Sequence, residues 1–239
     1  MKPLAEWNIK LFADGANRDE ILALYRNPLI QGFTTNPTLM RKAGVRDYQE
    51  FARQIVAEIA DRPISFEVFA DGFPEMERQA RKIAAWGENV YVKVPVTNTK
   101  SEPSLPLIRR LSRSGIKLNV TAMTTLCQVQ EVLGVLGDGP AAYVSVFAGR
   151  VADTGIDPVP LMAEVVTLLR REAPQVELVW ASPREVLNIV QAESIGCHII
   201  TATSDILKKI ELLGRDLTEY SLDTVKMFHR DATQAGFKL

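Results

Sequence analysis

The sequence predicts an α/β protein: a single (β/α)₈ TIM barrel followed by one additional C-terminal helix. Strand-like and helix-like segments alternate from end to end of the 239-residue chain, and eight such β-then-α units can be counted. A barrel of this type needs roughly 250 residues, which is close to the length available. No G-x-G-x-x-G motif follows the first strand, which disfavours the structural alternative, a doubly wound nucleotide-binding sheet.

The predicted strands are short runs rich in β-branched and aromatic residues. They span 9–15, 32–36, 64–70, 90–96, 117–123, 142–150, 177–182 and 197–203. Helical periodicity predicts helices at 48–60, 74–86, 106–114, 124–136, 158–172 and 182–194, and a last one at 217–232. Gly115, Gly137 and Gly196 each stand just before a strand, where a glycine commonly ends a helix.

The strand VYVKVPV at 90–96 predicts which face of each strand points into the barrel. Alternate residues face opposite sides, so its valines share one face and Lys93 lies on the other. The same parity gives outward sets that are apolar: Ile9, Leu11, Ala13, Ile64, Phe66, Val68, Leu118, Val120, Ala122, Val144 and Val146. The inward sets are polar: Asp14, Thr34, Asn36, Ser65, Glu67, Lys93, Lys117, Asn119, Thr121, Ser145, Ser182, Thr201 and Thr203. Because many of these lie near the carboxyl ends of their strands, where barrels carry their chemistry, we expect a site there.

Lys93 is the candidate nucleophile of this site. Burial disfavours the charged form of an amine, and a neutral amine attacks carbonyls to form a Schiff base. Asp14 and Glu67 would supply carboxylates that move protons on a substrate hydroxyl. Alternatively, Lys93 is a structural ion-pair partner of one of these carboxylates. Asn36 and Asn119 suit sugar hydroxyls, although Asn36 precedes a proline and could equally be a turn residue.

Arg150, Ser182 and Arg184 predict a phosphate site, because they lie just past strand ends in FAGRVAD and WASPRE. The fork of an arginine suits bidentate phosphate binding. Ser182 also resembles a helix N-cap with Glu185 at the capping-box position, which would present free backbone N–H groups. Barrels often hold phosphate in the loops after strands 7 and 8.

The bulk properties argue against several classes of protein. A formal net charge of −1 gives no overall electrostatic footprint for nucleic acid. No apolar run approaches the roughly 18 residues of a membrane helix, and the start MKPLAEWNIK lacks the apolar stretch of a secretory signal. Cys127, Cys197, His198 and His229 form neither a disulfide framework nor a metal motif. We therefore expect a cytoplasmic protein without cofactor or metal and without nucleic-acid or membrane partners.

These residues together resemble the transaldolases, and most closely the short subgroup that includes the fructose-6-phosphate aldolases. The matching blocks are FADGAN (12–17), GFTTNPTLM (32–40), VYVKVPVT (90–97), KLNVT (117–121), VSVFAGRVAD (144–153) and ASPRE (181–185). The resemblance implies that Lys93 forms the Schiff base and that Asp14 is the acid/base on the substrate's C4 hydroxyl. It also implies that Glu67 and Thr121 position a catalytic water.

The resemblance further implies a dihydroxyacetone-transferring enzyme that acts on small sugar phosphates. The residues it assigns to the bound three-carbon unit are Asn36, Asn119 and Ser145, with Thr34 and Phe147 as further substrate contacts, and Arg150, Ser182 and Arg184 form its phosphate site. Glu67 and Phe147 side with the transaldolases, because the aldolases carry Gln and Tyr there. Alternatives are an aldolase-type lyase that releases dihydroxyacetone, or a transaldolase for a modified sugar phosphate.

Two segments extend or depart from the family pattern. Residues 97–106, TNTKSEPSLP, replace a usually short turn, and Val146 stands where many members have proline; both are expected to border the acceptor side of the site. The apolar helix at 217–232 and the tail to residue 239 are expected to mediate assembly, since short family members form homo-oligomers, often pentamers paired into decamers. Alternatively, the helix packs across the mouth of its own barrel. One domain is therefore predicted over residues 1–239.

Overall fold

The computed structural model describes residues 6–137 and 139–238. Eight parallel strands pair in chain order, β1 to β8, and close into a barrel when β8 pairs with β1. The predicted (β/α)₈ fold is therefore confirmed. Residues 1–5, the first half of the segment MKPLAEWNIK that was inspected for a secretory signal, lie outside the described residues. Within the described residues, no helix is both long and apolar enough to cross a membrane.

Every predicted strand is present, with ends shifted by a few residues. The strands are β1 (Lys10–Asp14), β2 (Ile30–Thr34), β3 (Ile64–Glu67), β4 (Val90–Pro95), β5 (Leu118–Met123), β6 (Ala142–Val146), β7 (Val176–Trp180) and β8 (Ile199–Ala202). The helices are α1 (Arg18–Tyr25), α2 (Pro37–Lys42), α3 (Tyr48–Glu58), α4 (Phe73–Ala84), α5 (Leu105–Arg113), α6 (Leu126–Leu136), α7 (Ala148–Ala152), α8 (Pro158–Glu172), α9 (Leu187–Ser194), α10 (Ser204–Lys208) and α11 (Leu217–Ala235).

The helices that periodicity did not predict are α1, α2, α7 and α10. Each is too short for an apolar stripe to repeat over several turns. The predicted strand 142–150 consequently ends at Val146, because its last residues form α7.

The prediction that Ser182 caps the following helix is wrong. The helix, α9, begins at Leu187, and Ser182 lies in a loop with a left-handed φ of 60°. The backbone N–H groups of Arg184 and Glu185, to which a capping Ser182 would have offered its side-chain oxygen, donate instead to Asn188 Oδ1 at 2.8 and 3.2 Å. A side chain from inside the helix has therefore taken the acceptor role expected of Ser182.

One outward assignment also fails, and one inward residue, which lies over the Tyr91 ring, is far from the site. Ala122 was predicted to face the helices, but it is exposed, with a φ of 66° at a register shift between β5 and β6, so parity reverses there. Lys117 precedes β5, and its Nζ donates to the Glu88 carbonyl at 2.8 Å. Because Lys117 lies at the amino end of its strand, it is remote from the carboxyl ends where the other polar residues meet.

A layer of aromatic and aliphatic side chains fills the lumen beneath the polar residues. Its members are Phe12, Tyr91, Tyr143, Val179 and Ile199. The rings of Tyr91 and Tyr143 stack with centroids 4.0 Å apart. Phe12, Tyr91, Tyr143 and Ile199 each precede a polar lumen residue by two positions, so they share its strand face and form the floor beneath it.

Candidate active site

A polar cavity of about 490 Å³ opens at the carboxyl ends of the strands. It is lined by every residue assigned above to catalysis, substrate or phosphate: Asp14, Thr34, Asn36, Glu67, Lys93, Asn119, Thr121, Ser145, Phe147, Arg150, Ser182 and Arg184. A larger cavity of about 740 Å³ lies between the ends of α5 and α6, but the described residues that line it include neither a carboxylate nor a lysine. The smaller cavity is therefore the one equipped for chemistry.

Sequence reasoning missed the contribution of α2 to this cavity. Pro37, Thr38, Leu39 and Lys42 line it as well. The signal that could have revealed them is the order Asn-Pro after a strand, because Asn is a favoured N-cap and Pro a favoured first helical residue.

Lys93 is buried at the base of the cavity, with 6% of its surface exposed. Its Nζ donates to the Thr35 carbonyl at 3.0 Å and lies 3.4 Å from Glu67 Oε2. Glu67 and Lys93 are direct neighbours in the register of β3 and β4, which brings the two side chains together. The ion pair considered as an alternative is thus present, but it lies in the cavity wall, where it is open to a ligand.

Asp14 is the second carboxylate of the cavity, and it is half-buried. Thr34 Oγ1 lies 2.7 Å from Asp14 Oδ1 and 2.5 Å from Thr201 Oγ1, so three neighbouring strands meet in one chain of hydrogen bonds. Burial raises the pKa of Asp14, and the nearby charge of Lys93 and the Thr34 bond oppose that rise only in part. The Asp14 carboxyl therefore holds its proton at a higher pH than an exposed aspartate does.

Three amide and hydroxyl groups opposite Asp14 are locked together. Ser145 Oγ donates to Asn119 Oδ1 at 2.7 Å, and Asn119 Nδ2 donates to Ser65 Oγ at 3.1 Å. All three side chains are buried, so their orientations are set before any ligand arrives. Thr121 differs: its hydroxyl is buried and bonded to none of the described residues.

Asn36 combines the two alternatives left open for it. It is the N-cap of α2, and its Oδ1 accepts from Leu39 N–H at 3.0 Å. It also lines the cavity. Since the cap uses the amide oxygen, the NH₂ group is what Asn36 can offer a ligand.

The cationic end of the cavity is built on a close contact between α7 and the loop after β7. A Cβ at Gly149 would lie 1.6 Å from the Ser182 carbonyl oxygen, so only glycine lets the segment after β7 approach α7 this closely. Arg184 is held in place: Nε donates to Asp153 Oδ1 at 2.8 Å and Nη1 to Ser182 Oγ at 3.1 Å. Arg150 is less constrained, with its Cζ 5.6 Å from the centroid of the Phe147 ring.

Residues 11–239 match the family model described as Transaldolase/Fructose-6-phosphate aldolase. The chain belongs to this family. It is 34% identical over 231 residues to a "Probable transaldolase" of Thermoanaerobacter sp. (strain X514), covering 97% of this chain and 100% of that one. It is also 34% identical over 211 residues to a "Probable transaldolase" of Dehalococcoides mccartyi, covering 88% and 93%.

One more relative and one solved structure are also similar to this chain. A "Probable transaldolase" of Streptococcus equi subsp. zooepidemicus is 35% identical over 232 residues, covering 96% of this chain and all of the relative. Among solved structures, one described as "Native KDPGal structure" is similar over 86% of each chain, with a TM-score of 0.53 and 13% identity. At that identity the likeness concerns the barrel fold alone.

The departures from the transaldolase pattern lie differently from what was expected. Residues 97–106 do not line the cavity. The segment folds on itself instead, since Asn98 Oδ1 accepts from the Lys100 and Glu102 N–H groups, and it is tied to Asp71 by Thr99 N–H at 2.8 Å. Val146 is likewise fully buried in the barrel wall. Residues 97–106 and Val146 therefore do not form part of the cavity wall. That they border the acceptor side stays a prediction.

Proposed function

We propose that the protein is a transaldolase that transfers a dihydroxyacetone unit from a ketose phosphate to an aldose phosphate through a Schiff base on Lys93. The observation that carries the proposal is the placement of Lys93, buried at the base of a polar cavity, 3.4 Å from a carboxylate. A lysine amine held at the base of a cavity can add to a substrate carbonyl and form a Schiff base. Membership of the family supplies the substrate class.

The first half-reaction breaks the donor. Lys93 Nζ adds to the C2 carbonyl of the ketose phosphate, and loss of water forms the Schiff base. Asp14 takes the proton of the C4 hydroxyl, the C3–C4 bond breaks, and the aldose phosphate leaves while the bonding electrons remain in an enamine. The raised pKa of Asp14 suits this role, because a general base must also return its proton.

The second half-reaction rebuilds the bond. C3 of the enamine attacks the acceptor aldehyde, and Asp14 gives its proton to the new C4 oxygen. Glu67 and Thr121 position the water that hydrolyses the Schiff base, a role that suits a buried hydroxyl bonded to none of the described residues. Asn36, Asn119 and Ser145 hold the hydroxyls of the three-carbon unit.

The phosphate lies at the cationic end of the cavity in this proposal. Arg184 presents a guanidinium already oriented by Asp153, while Arg150 adds a charge that can move toward the ligand. The loop of Ser182 offers a hydroxyl between them. Thr34 keeps Asp14 in place by hydrogen bonding, and Phe147 forms the apolar wall beside Arg150.

Borohydride trapping tests the lysine chemistry. Reduction in the presence of fructose 6-phosphate is expected to add one reduced three-carbon unit, mapped to Lys93 by peptide mass spectrometry. Lys117→Met is the matched control, since Lys117 lies on the neighbouring strand segment at the other end of the barrel and should leave trapping intact. An adduct on Lys100 or Lys117, or none at all, would contradict the proposal.

Dependence on an acceptor separates the transferase from the lyase. Fructose 6-phosphate alone is expected to give little free dihydroxyacetone, and erythrose 4-phosphate should restore steady turnover. Steady release without acceptor would favour the aldolase-type lyase. Turnover with other ketose phosphates but not with fructose 6-phosphate would instead indicate a modified sugar as donor.

We also propose that residues 1–239 form one domain in which 217–239 serve assembly into a homo-oligomeric ring. The support is that α11 has no buried residue, while Leu217, Val225, Phe228 and Phe237 expose 60–80% of their surfaces. Such an apolar face needs a cover. Light scattering is expected to show a pentamer or decamer for the full chain and a smaller species for a chain ending at Gly214. A monomeric full chain would refute the idea.

A cytoplasmic location is part of the same proposal. Cys127 is exposed and Cys197 is buried, and both are free thiols. Unpaired thiols suit a reducing compartment. Fractionation of cells that produce the protein is expected to recover it with the cytoplasmic contents.

A further inference from the structure

The hydrogen-bond ladder between β2 and β3 stops just before Glu67. Its last rung joins Thr35 N–H to the Ser65 carbonyl at 3.2 Å. In a regular parallel ladder the next rungs would join Glu67 N–H to the Thr35 carbonyl, and the N–H of residue 37 to the Glu67 carbonyl. Residue 37 is Pro37, which has no N–H and already belongs to α2. Both backbone groups of Glu67 therefore need another partner.

One phenol replaces both missing rungs. The Tyr48 hydroxyl donates to the Glu67 carbonyl at 2.9 Å and accepts from the Glu67 N–H at 2.8 Å. The Tyr48 ring packs edge-on against Phe66, a residue of the outward face, with centroids 6.4 Å apart, and against Phe69 at 5.5 Å. The phenol thus reaches β3 from the helix side, while the Glu67 carboxylate lines the cavity.

The break in the ladder also serves Lys93. Because Tyr48 satisfies the Glu67 N–H, the Thr35 carbonyl is left for another donor, and Lys93 Nζ takes it at 3.0 Å. A buried ammonium needs such acceptors. Burial raises the pKa of the Tyr48 phenol well above its usual range, so the hydroxyl keeps its proton at neutral pH and remains a donor.

We infer that Tyr48 is a positioning residue for this site: its hydroxyl holds the end of β3 so that Glu67 faces Lys93 and the Thr35 carbonyl stays with Lys93. Tyr48 does not line the cavity, so it acts through Glu67 and Thr35 and not on the substrate. The consequence for turnover rests on the proposed function. The hydrogen bonds between the Tyr48 hydroxyl and the Glu67 backbone do not depend on the proposed function.

The substitution Tyr48→Phe removes only the hydroxyl, and Tyr25→Phe is its matched control. Tyr25 also packs edge-on against a phenylalanine, and its hydroxyl donates to Asp61 at 2.7 Å on the outer surface. Tyr48→Phe is expected to lower kcat at least about tenfold with KM for fructose 6-phosphate within about twofold, because two backbone groups lose their partner and Glu67 shifts. Tyr25→Phe should change neither constant more than about twofold. Equal small effects would overturn the inference.

A double-substitution cycle tests whether Tyr48 acts through Glu67. In a Glu67→Gln background only the effect through the Thr35 carbonyl remains, so adding Tyr48→Phe should lower kcat by a clearly smaller factor than it does in the wild type. A general structural role would lower kcat by the same factor in both backgrounds. That outcome would overturn the assignment.

Hydrogen exchange tests the contact without any assay of turnover. The Glu67 amide of the intact protein is expected to exchange slowly, and Tyr48→Phe should speed it at least about tenfold while amides of β5 stay unchanged. If Tyr48→Phe does not fold, the wild-type measurement still decides, because a fast Glu67 amide contradicts the contact. A wild-type protein without the Lys93 adduct would refute the proposed function and leave this measurement standing.

Discussion

The two ends of the cavity are built on different principles. At the lysine end, Lys93, Asn119 and Ser145 are buried; Lys93 donates to the Thr35 carbonyl and Ser145 to Asn119, so the barrel itself sets these groups in position. At the cationic end, Arg150 lies on the short helix α7 and Arg184 on the loop after β7, where an exposed ion pair with Asp153 orients it. The reacting end therefore depends on the strands, whereas the end that would hold phosphate depends on how α7 and this loop pack together. Substitutions at the two ends should therefore fail in different ways.

Lys93→Met should show the largest effect, because it removes the nucleophile from the rigid end. We expect kcat to fall at least about 1000-fold, in line with the loss of other catalytic nucleophiles. The protein should remain folded and still bind phosphorylated ligands, since the arginines are untouched. Steady-state kinetics and isothermal titration with inorganic phosphate provide the two readings. Residual activity near the wild-type level would show that another group forms the intermediate.

Asp14→Asn should lower kcat about 100- to 10,000-fold, the range for loss of a general acid or base. The same substitution should stabilise the fold at pH 7. The folded-state pKa of Asp14 is raised, so the group favours folding below its unfolded pKa and that contribution is lost as pH rises through the folded pKa. The gain in Tm for the variant should therefore shrink on acidification toward pH 3.8, the ordinary pKa of an aspartate. A destabilised variant at pH 7 would contradict the conclusion that burial disfavours the charged Asp14 carboxylate.

Arg184→Ala should weaken the loop-built end without touching the chemistry. Charge-assisted hydrogen bonds are worth about 1.5–3 kcal/mol, so KM for phosphorylated substrates should rise about 10- to 100-fold with kcat little changed. Unphosphorylated aldehydes should be affected hardly at all. Arg110→Ala is the matched control, because Arg110 also pairs with a carboxylate, Glu77, but lies outside the cavity. Equal losses for both kinds of substrate would count against a phosphate contact.

Gly149→Ala should give the smallest effect and tests the loop contact itself. Its Cβ would meet the Ser182 carbonyl, so we expect a loss of about 1–3 kcal/mol in the free energy of unfolding and a raised KM for phosphorylated substrates. Gly134→Ala is the matched control: a Cβ there meets nothing within 4 Å inside a helix, and it should stabilise by up to about 1 kcal/mol. Denaturant unfolding of both variants checks the contrast. A neutral Gly149→Ala would mean that α7 and the loop after β7 can separate without loss of stability.

The lysine end was predictable from the sequence because strand parity is a local property. Lys93 and Glu67 could be assigned to one face of neighbouring strands before any contact was known, and they pair in register. The loop end was only partly predictable. Arg150 and Arg184 were found by their place after strand ends, but neither the Asp153 partner of Arg184 nor the Gly149 contact leaves a local signal, since both join segments about thirty residues apart.

By itself, the sequence determined the barrel, the strand faces and the identity of the polar residues that meet at the carboxyl ends. These follow from periodicity, which depends only on residues close in the chain. Three features follow from tertiary contacts and not from local sequence patterns. They are the left-handed turns at Ala122 and Ser182, the start of α9 at Leu187, and the hydrogen bonds of the Tyr48 phenol in place of a rung of the β2–β3 ladder. Each of these is set by closure of the barrel, which brings together backbone groups from distant segments and obliges each buried one to find a hydrogen-bond partner.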